Sequence, residues 1–154
     1  MTGDNFTQHL FHQTVVLFEW VCGQTGLSYA LLNILVYCLV VPALWTAILC
    51  IRKGWMGALF LGGVALCSGG YALVSHLNAR QIAFYDRQIS LLYRIAQNQE
   101  SLYMSVSVIM GIAVPIVVTA TLLLIPRRYL LLFYLAVHIV LAGFLGYGWS
   151  IGAS

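Results

Sequence analysis

The chain has 154 residues, 62% of them hydrophobic and only 7% charged. A soluble domain carries about 25% charged residues, so water cannot face this surface throughout and lipid must cover most of it; at this length one domain is expected. The formal net charge of +3 comes from basic residues set at a few points rather than in a patch, which argues against nucleic acid as a partner.

In chain order, the first element is an amphipathic helix over 5–21. Phe6, Leu10, Phe11, Leu17, Phe18 and Trp20 cover most of its circumference, and His9, His12 and Glu19 cluster on the remainder. Thr2, Asp4 and Asn5 are of the type that caps a helix start. No basic n-region precedes an apolar stretch, so no signal peptide is expected, and the first span is expected to act as the insertion signal. His9 and His12 form an HxxH with Glu19 seven residues further on. Two histidines and a carboxylate suit a transition metal, but Glu19 lies ~10 Å along the axis from His12. The three are read as polar residues of an interfacial helix, with no metal expected.

A helix needs about 20 apolar residues to cross ~30 Å of hydrocarbon. Four stretches qualify, 28–51, 55–76, 102–125 and 129–151, and none contains Asp, Glu, Lys or Arg. Short turns join the first to the second and the third to the fourth, so each pair is expected to form an antiparallel hairpin. Pro42 and Pro115 sit mid-span in the first and third. Each lacks a backbone donor and kinks its helix, read here as shaping the bundle, with a hinge beside a conduit as the functional alternative. In the second span Ala58, Gly62, Ala65, Gly69 and Ala72 recur in steps of four and three, and in the fourth Ala142 and Gly146 are four apart. Small residues let helices approach closely in lipid, so the second and fourth spans are expected to make the closest contact.

Between the hairpins, 79–97 reads as a second amphipathic helix. Arg80, Arg87 and Arg94 repeat every seven residues and form one stripe, with Ile82, Tyr85, Ile89, Leu92, Tyr93 and Ala96 opposite. Such a helix lies on the membrane or on the bundle. Phe84 and Leu91 interrupt the polar face, which suggests that a partner covers it.

The elements repeat. Val41-Pro42-Ala43-Leu44-Trp45-Thr46-Ala47 recurs 73 residues later as Val114-Pro115-Ile116-Val117-Val118-Thr119-Ala120, and the basic pairs Arg52-Lys53 and Arg127-Arg128 follow. An internal duplication is expected, with repeats at about 5–76 and 79–152. An even number of spans in each gives both the same orientation. The positive-inside rule puts the basic turns in the cytoplasm of an inner or plasma membrane, and both termini and both amphipathic helices outside. Trp20, Tyr29, Tyr71, Tyr103, Tyr147 and Trp149 would mark one interface, and Trp55 and Tyr129 the other.

His138 is the residue of near-neutral pKa deep in a span, ~14 Å from the basic turn at 1.5 Å per residue. Intramembrane ionisable groups are functional candidates. The plainer reading is a neutral histidine bonded to a neighbouring helix through Ser68, Thr119 or Thr121. His76 and His138 differ in depth by more than ~10 Å, too far to share one haem iron. Cys22, Cys38, Cys50 and Cys67 have no ligand spacing and read as small packing residues.

With no nucleophile triad, paired carboxylates or phosphate loop, a non-enzymatic role is expected: an accessory or structural subunit of a larger membrane assembly, with bound lipid and no other cofactor. A homo-oligomeric channel or small-solute transporter is the first alternative, and a redox or quinone-linked subunit the second.

Overall fold

The computed structural model describes the backbone of residues 3–75 and 79–151, and side chains for 6–69, 82–147 and 150. These residues form an all-helical fold: α1 (Gly3–Thr25), α2 (Tyr29–Lys53), α3 (Met56–Ser75), α4 (Ala79–Ile95), α5 (Glu100–Leu124) and α6 (Leu130–Ile151). Three helices are long and apolar enough to cross a membrane, over Tyr29–Lys53, Glu100–Leu124 and Leu130–Tyr147; α3 is apolar over Met56–Gly69.

Local chemistry sets the boundaries. The Ser28 hydroxyl accepts from the Leu31 amide at 3.2 Å and caps α2. Gly54 ends α2 in the left-handed region at φ 78°, where its amide bonds Ile51 and the Trp55 amide bonds Cys50. That Schellman closure favours glycine and turns the chain into α3 within two residues.

Both proline-bearing helices widen before their proline. In α2 a π-helical stretch runs Leu35–Val40, closed by the Val41 amide on the Val36 carbonyl. In α5 one runs Ile109–Ala113, closed by the Val114 amide on the Ile109 carbonyl. A proline ring crowds the carbonyl four residues back, here those of Cys38 and Gly111, and the wide turn relieves that crowding. Thr46 and Thr119 then donate to the Pro42 and Pro115 carbonyls, at 2.8 and 2.7 Å.

The core joins α2, α5 and α6 around Trp45, Ile48, Leu49, Val118, Leu122 and Leu130. The Trp45 indole donates to the Thr119 hydroxyl at 3.0 Å, and Thr46 hydrogen-bonds the Tyr134 phenol at 2.8 Å. The two basic pairs meet at one end of the bundle: Lys53 Nζ donates to the Arg127 carbonyl at 3.0 Å, and Arg52 Nη1 to that of Leu122. The helical donor to Leu122 would be residue 126, which is Pro126 and has no N–H. Arg52 takes the place of that missing donor.

The amphipathic helices pack on the spans at the other end. Helix α1 runs along α5, with the Phe11 ring edge-on to Tyr103 at 6.1 Å. Helix α4 lies against α6, α5 and the start of α2. Leu91 is 4% exposed and Phe84 half-buried, so the chain's own helices cover Leu91 and part of Phe84.

The expected close approach of the second and fourth spans does not occur. Helix α3 packs on α2 and has no extended contact with α6, whose neighbours are α4, α2 and α5. Leu59 and Leu66, seven residues apart on one face, are the half-buried described residues of α3, and they turn it toward α2. The seam of Ala58, Gly62, Ala65 and Gly69 is exposed as a result, and a Cβ at Gly62 or Gly69 would meet nothing within 4 Å. Ala142 and Gly146 on α6 are exposed as well. The Ala72 side chain lies outside the described set.

Candidate functional site

Packing α1 and α4 across one end of α2, α5 and α6 forms a half-open cavity of about 680 Å³, whose described lining holds no residue of α3. Its walls follow from the local structure already described. The first π turn presents Tyr37 and Cys38, and the second presents Gly111 and Ile112. Tyr37 and Gly111 meet across the cavity wall: a Cβ at Gly111 would lie 2.9 Å from the Tyr37 hydroxyl. Only a glycine leaves that ring its room.

Aromatic rings dominate the end near α1 and α4. Phe18 of α1 lies 5.9 Å from Tyr29 and 6.2 Å from Tyr37, nearly parallel to the latter. Tyr29 is edge-on to Tyr85 at 6.5 Å. The polar groups share this end. Glu19 lines the cavity and is exposed to its outside. Asn33 Nδ2 donates to the Tyr29 carbonyl at 2.9 Å. Gln88 Nε2 donates to the Leu145 carbonyl at 3.1 Å, while Gln88 Oε1 is buried with no hydrogen-bond partner. Because a carbonyl can only accept, the amide's orientation is fixed and the free group is the acceptor. Burial, then the neighbouring Tyr29, Tyr103 and Asp86, push the Tyr85 phenol well above its usual 10, so it stays neutral.

The deeper end is apolar. Trp45, Val114 and Pro115 face Val137, Val140 and Leu141 of α6 there. Among the described residues Glu19 is the one carboxylate in the lining, and no Lys, Arg or His is part of it. The site therefore has an aromatic, hydrogen-bonding, mildly acidic end and a lipophilic interior.

His138 stands behind this wall. Its Nδ1–H donates to the Tyr134 carbonyl of its own helix at 2.9 Å, and Nε2 is buried without a partner. The ring is sandwiched between Tyr134, centroids 4.0 Å apart, and the Trp45 edge at 6.0 Å. This corrects the expected bond to a neighbouring helix. Thr119 is occupied by Trp45, while Thr121 and Ser68 donate to their own helices at Val117 and Val64. His76 lies outside the described residues.

The other candidates do not converge. His9, His12 and Glu19 are all exposed. His12 borders a separate depression with Gln8 and Glu100, whereas Glu19 belongs to the cavity; no three metal-type side chains come together among the described residues. Arg94 is exposed, Arg87 is half-buried and engaged with a neighbour, and the Arg80 side chain lies outside the described set. Pro115 lines the cavity; Pro42 is half-buried just outside it, beside lining Val41.

Sequence reasoning missed Tyr37, Gly111, Trp45 and Gln88 as site residues. One signal pointed to the last: Phe84, Gln88 and Leu91 share a face with apolar neighbours above and below, which marks Gln88 as enclosed rather than solvated. No known family, curated protein or solved structure matches the chain.

Proposed function

We propose that this chain is a non-catalytic multi-pass membrane protein that holds a lipid-soluble amphiphile in the cavity beneath α1 and α4. The cavity carries the reading. Small-molecule sites are typically concave, mostly apolar and of about 300–1,000 Å³, with a few placed polar groups. This one has about 680 Å³, aromatic walls and an unpartnered buried acceptor at one end.

The same reading takes α3 as a fourth span and the two hairpins as duplicated halves of one orientation. The paired wide turns before Pro42 and Pro115 support duplication, and the meeting of the basic pairs at one end supports a shared orientation. With basic turns in the cytoplasm, the cavity's polar end faces outward and its apolar end the bilayer midplane. Purification from the native membrane in mild detergent, followed by solvent extraction and mass spectrometry, tests it. One amphiphile in near-stoichiometric amount is expected. Recovery of bulk phospholipid alone counts against the reading.

A second role, as a subunit of a larger assembly, is compatible with the first and rests on α3. Its small-residue seam is uncovered, and Phe60 is 72% exposed beside it. A helix partner would seat there. Cys67 is exposed on α3, whereas Cys50 is buried. Alkylation of Cys67 by a permeant maleimide in the purified chain, but not in native membranes, is expected. Equal labelling in both settings removes this role.

A further inference from the structure

We infer that the amphiphile enters with a head that donates hydrogen bonds and carries no negative charge, on an apolar body. The inference rests on the cavity reading above and specifies which molecules the cavity takes.

Three observations carry it. The first is charge: among the described residues Glu19 is the one ionisable carboxylate in the lining, with no cationic side chain beside it to answer an anion. A carboxylate or phosphate head would leave water and find like charge, so free fatty acids and phospholipids are disfavoured. The second is hydrogen-bond sign. Two buried groups in the wall lack a partner: Gln88 Oε1, which can only accept, and the Ser107 hydroxyl, which can accept as well as donate; Glu19 can only accept when ionised. A donor on the ligand satisfies such a group, whereas a head with carbonyls alone leaves it unpaired in a buried place. The third is position. Tyr29 and Tyr85 are in edge contact, and Tyr85 and Gln88 lie three apart on one face of α4, so these groups gather at the outer end, whereas past the Tyr37 hydroxyl the wall is made by Trp45, Val114, Pro115, Val137, Val140 and Leu141. An amphiphile therefore lies head outward and tail inward.

Two sources share this chemistry: a neutral lipid-soluble alcohol or hydroquinone, and an ammonium amphiphile. Both donate. The rings of Phe18, Tyr29 and Tyr85 suit a flat hydroxylated ring by edge or offset contact and an ammonium by attraction to their faces.

The test uses the full chain in nanodiscs with Trp20, Trp55 and Trp149 changed to Phe, so that Trp45 in the cavity wall reports. A brominated dodecane, which has no head, is the first probe. Dodecanol, dodecylammonium and dodecanoate then compete with it. Quenching of Trp45 by the bromoalkane is expected, and its displacement by dodecanol or dodecylammonium at roughly tenfold lower concentration than by dodecanoate. Preference for the alcohol assigns the neutral source, and preference for the ammonium the cationic one. Gln88→Leu removes the alcohol's advantage, and Glu19→Gln, at an exposed position that tolerates change, removes the ammonium's. Quenching with dodecanoate competing equally well overturns the inference and leaves the cavity reading standing. Absence of Trp45 quenching by the bromoalkane overturns both.

Discussion

Gly111→Ala probes the contact between the two wide turns most directly. The new methyl would stand 2.9 Å from the Tyr37 hydroxyl, 3.4 Å from Cζ and 3.7 Å from Cε1. Ordinary contact begins at 3.4 Å, so the hydroxyl must retreat by about 0.5 Å. Phe18 is stacked against Tyr37 at 6.2 Å, and the open direction is the cavity. Overpacking typically costs about 1–3 kcal/mol, and glycine to alanine within a helix returns about 0.5–1. The net expectation is a loss between about 0 and 2.5 kcal/mol, together with a smaller cavity and weaker ligand binding.

Tyr37→Phe removes the atom in conflict and leaves the nearest contact at 3.4 Å. On that background Gly111→Ala is expected to be neutral or stabilising by its helix propensity, about 0.5–1 kcal/mol. The double-mutant cycle should give a coupling of about 1–3 kcal/mol, measured by reversible unfolding in mixed detergent micelles. Residues in contact show couplings of about 0.5 kcal/mol or more. A coupling below that limit, with Trp45 quenching unchanged in Gly111→Ala, would falsify the packing of the two turns described here.

Three further outcomes use the same unfolding assay. Arg52→Gln is expected to lose about 1.5–3 kcal/mol, the range for a hydrogen bond to a charged group, and Pro126→Ala should recover part of it by restoring the amide that Arg52 replaces at Leu122; a Pro126→Ala that recovers nothing refutes the substitution of donors. Trp45→Phe and Thr119→Val each remove the indole bond between α2 and α5, worth about 0.6 and at most ~1.7 kcal/mol in a membrane, and Thr119→Val should cost less once Trp45 is Phe, the remainder coming from its own bond to the Pro115 carbonyl. The Tyr85 phenol has its pKa raised by burial from 10.0, so the folded chain keeps a proton that the unfolded chain releases. The contribution is complete below pH 10 and falls as pH rises above it; melts in the alkaline range should show a slope that Tyr85→Phe reduces, and an unchanged slope refutes the burial.

The all-helical class and the helices long and apolar enough to cross a membrane were legible because each rests on a local signal, chiefly apolar length. Pro42 and Pro115 marked the irregular points of α2 and α5, but not that the helices would answer by widening. That response depends on which carbonyl the ring crowds and on what lies opposite, here Tyr37 across from Gly111. Two expectations met the same limit. The glycine seam of α3 and the apolar residues on the arginine face of α4 were each read from one helix alone, and one helix does not state which of its faces the others take. Leu59 and Leu66 drew α3 toward α2, and the ends of α2, α5 and α6 drew in Leu91. A small-residue seam permits close approach but does not compel it, since lipid and a partner helix are almost equally apolar. The cavity has the same origin. It belongs to no segment, and arises because two amphipathic helices bridge spans whose wide turns hold aromatic rings apart. The residues that give it chemistry, Glu19 and Gln88, sit on those bridging helices, one in each half of the chain, and their counterparts at the repeat offset are Leu92 and Val15. Both counterparts also line the cavity, so positions one offset apart carry a polar group in one helix and an apolar one in the other.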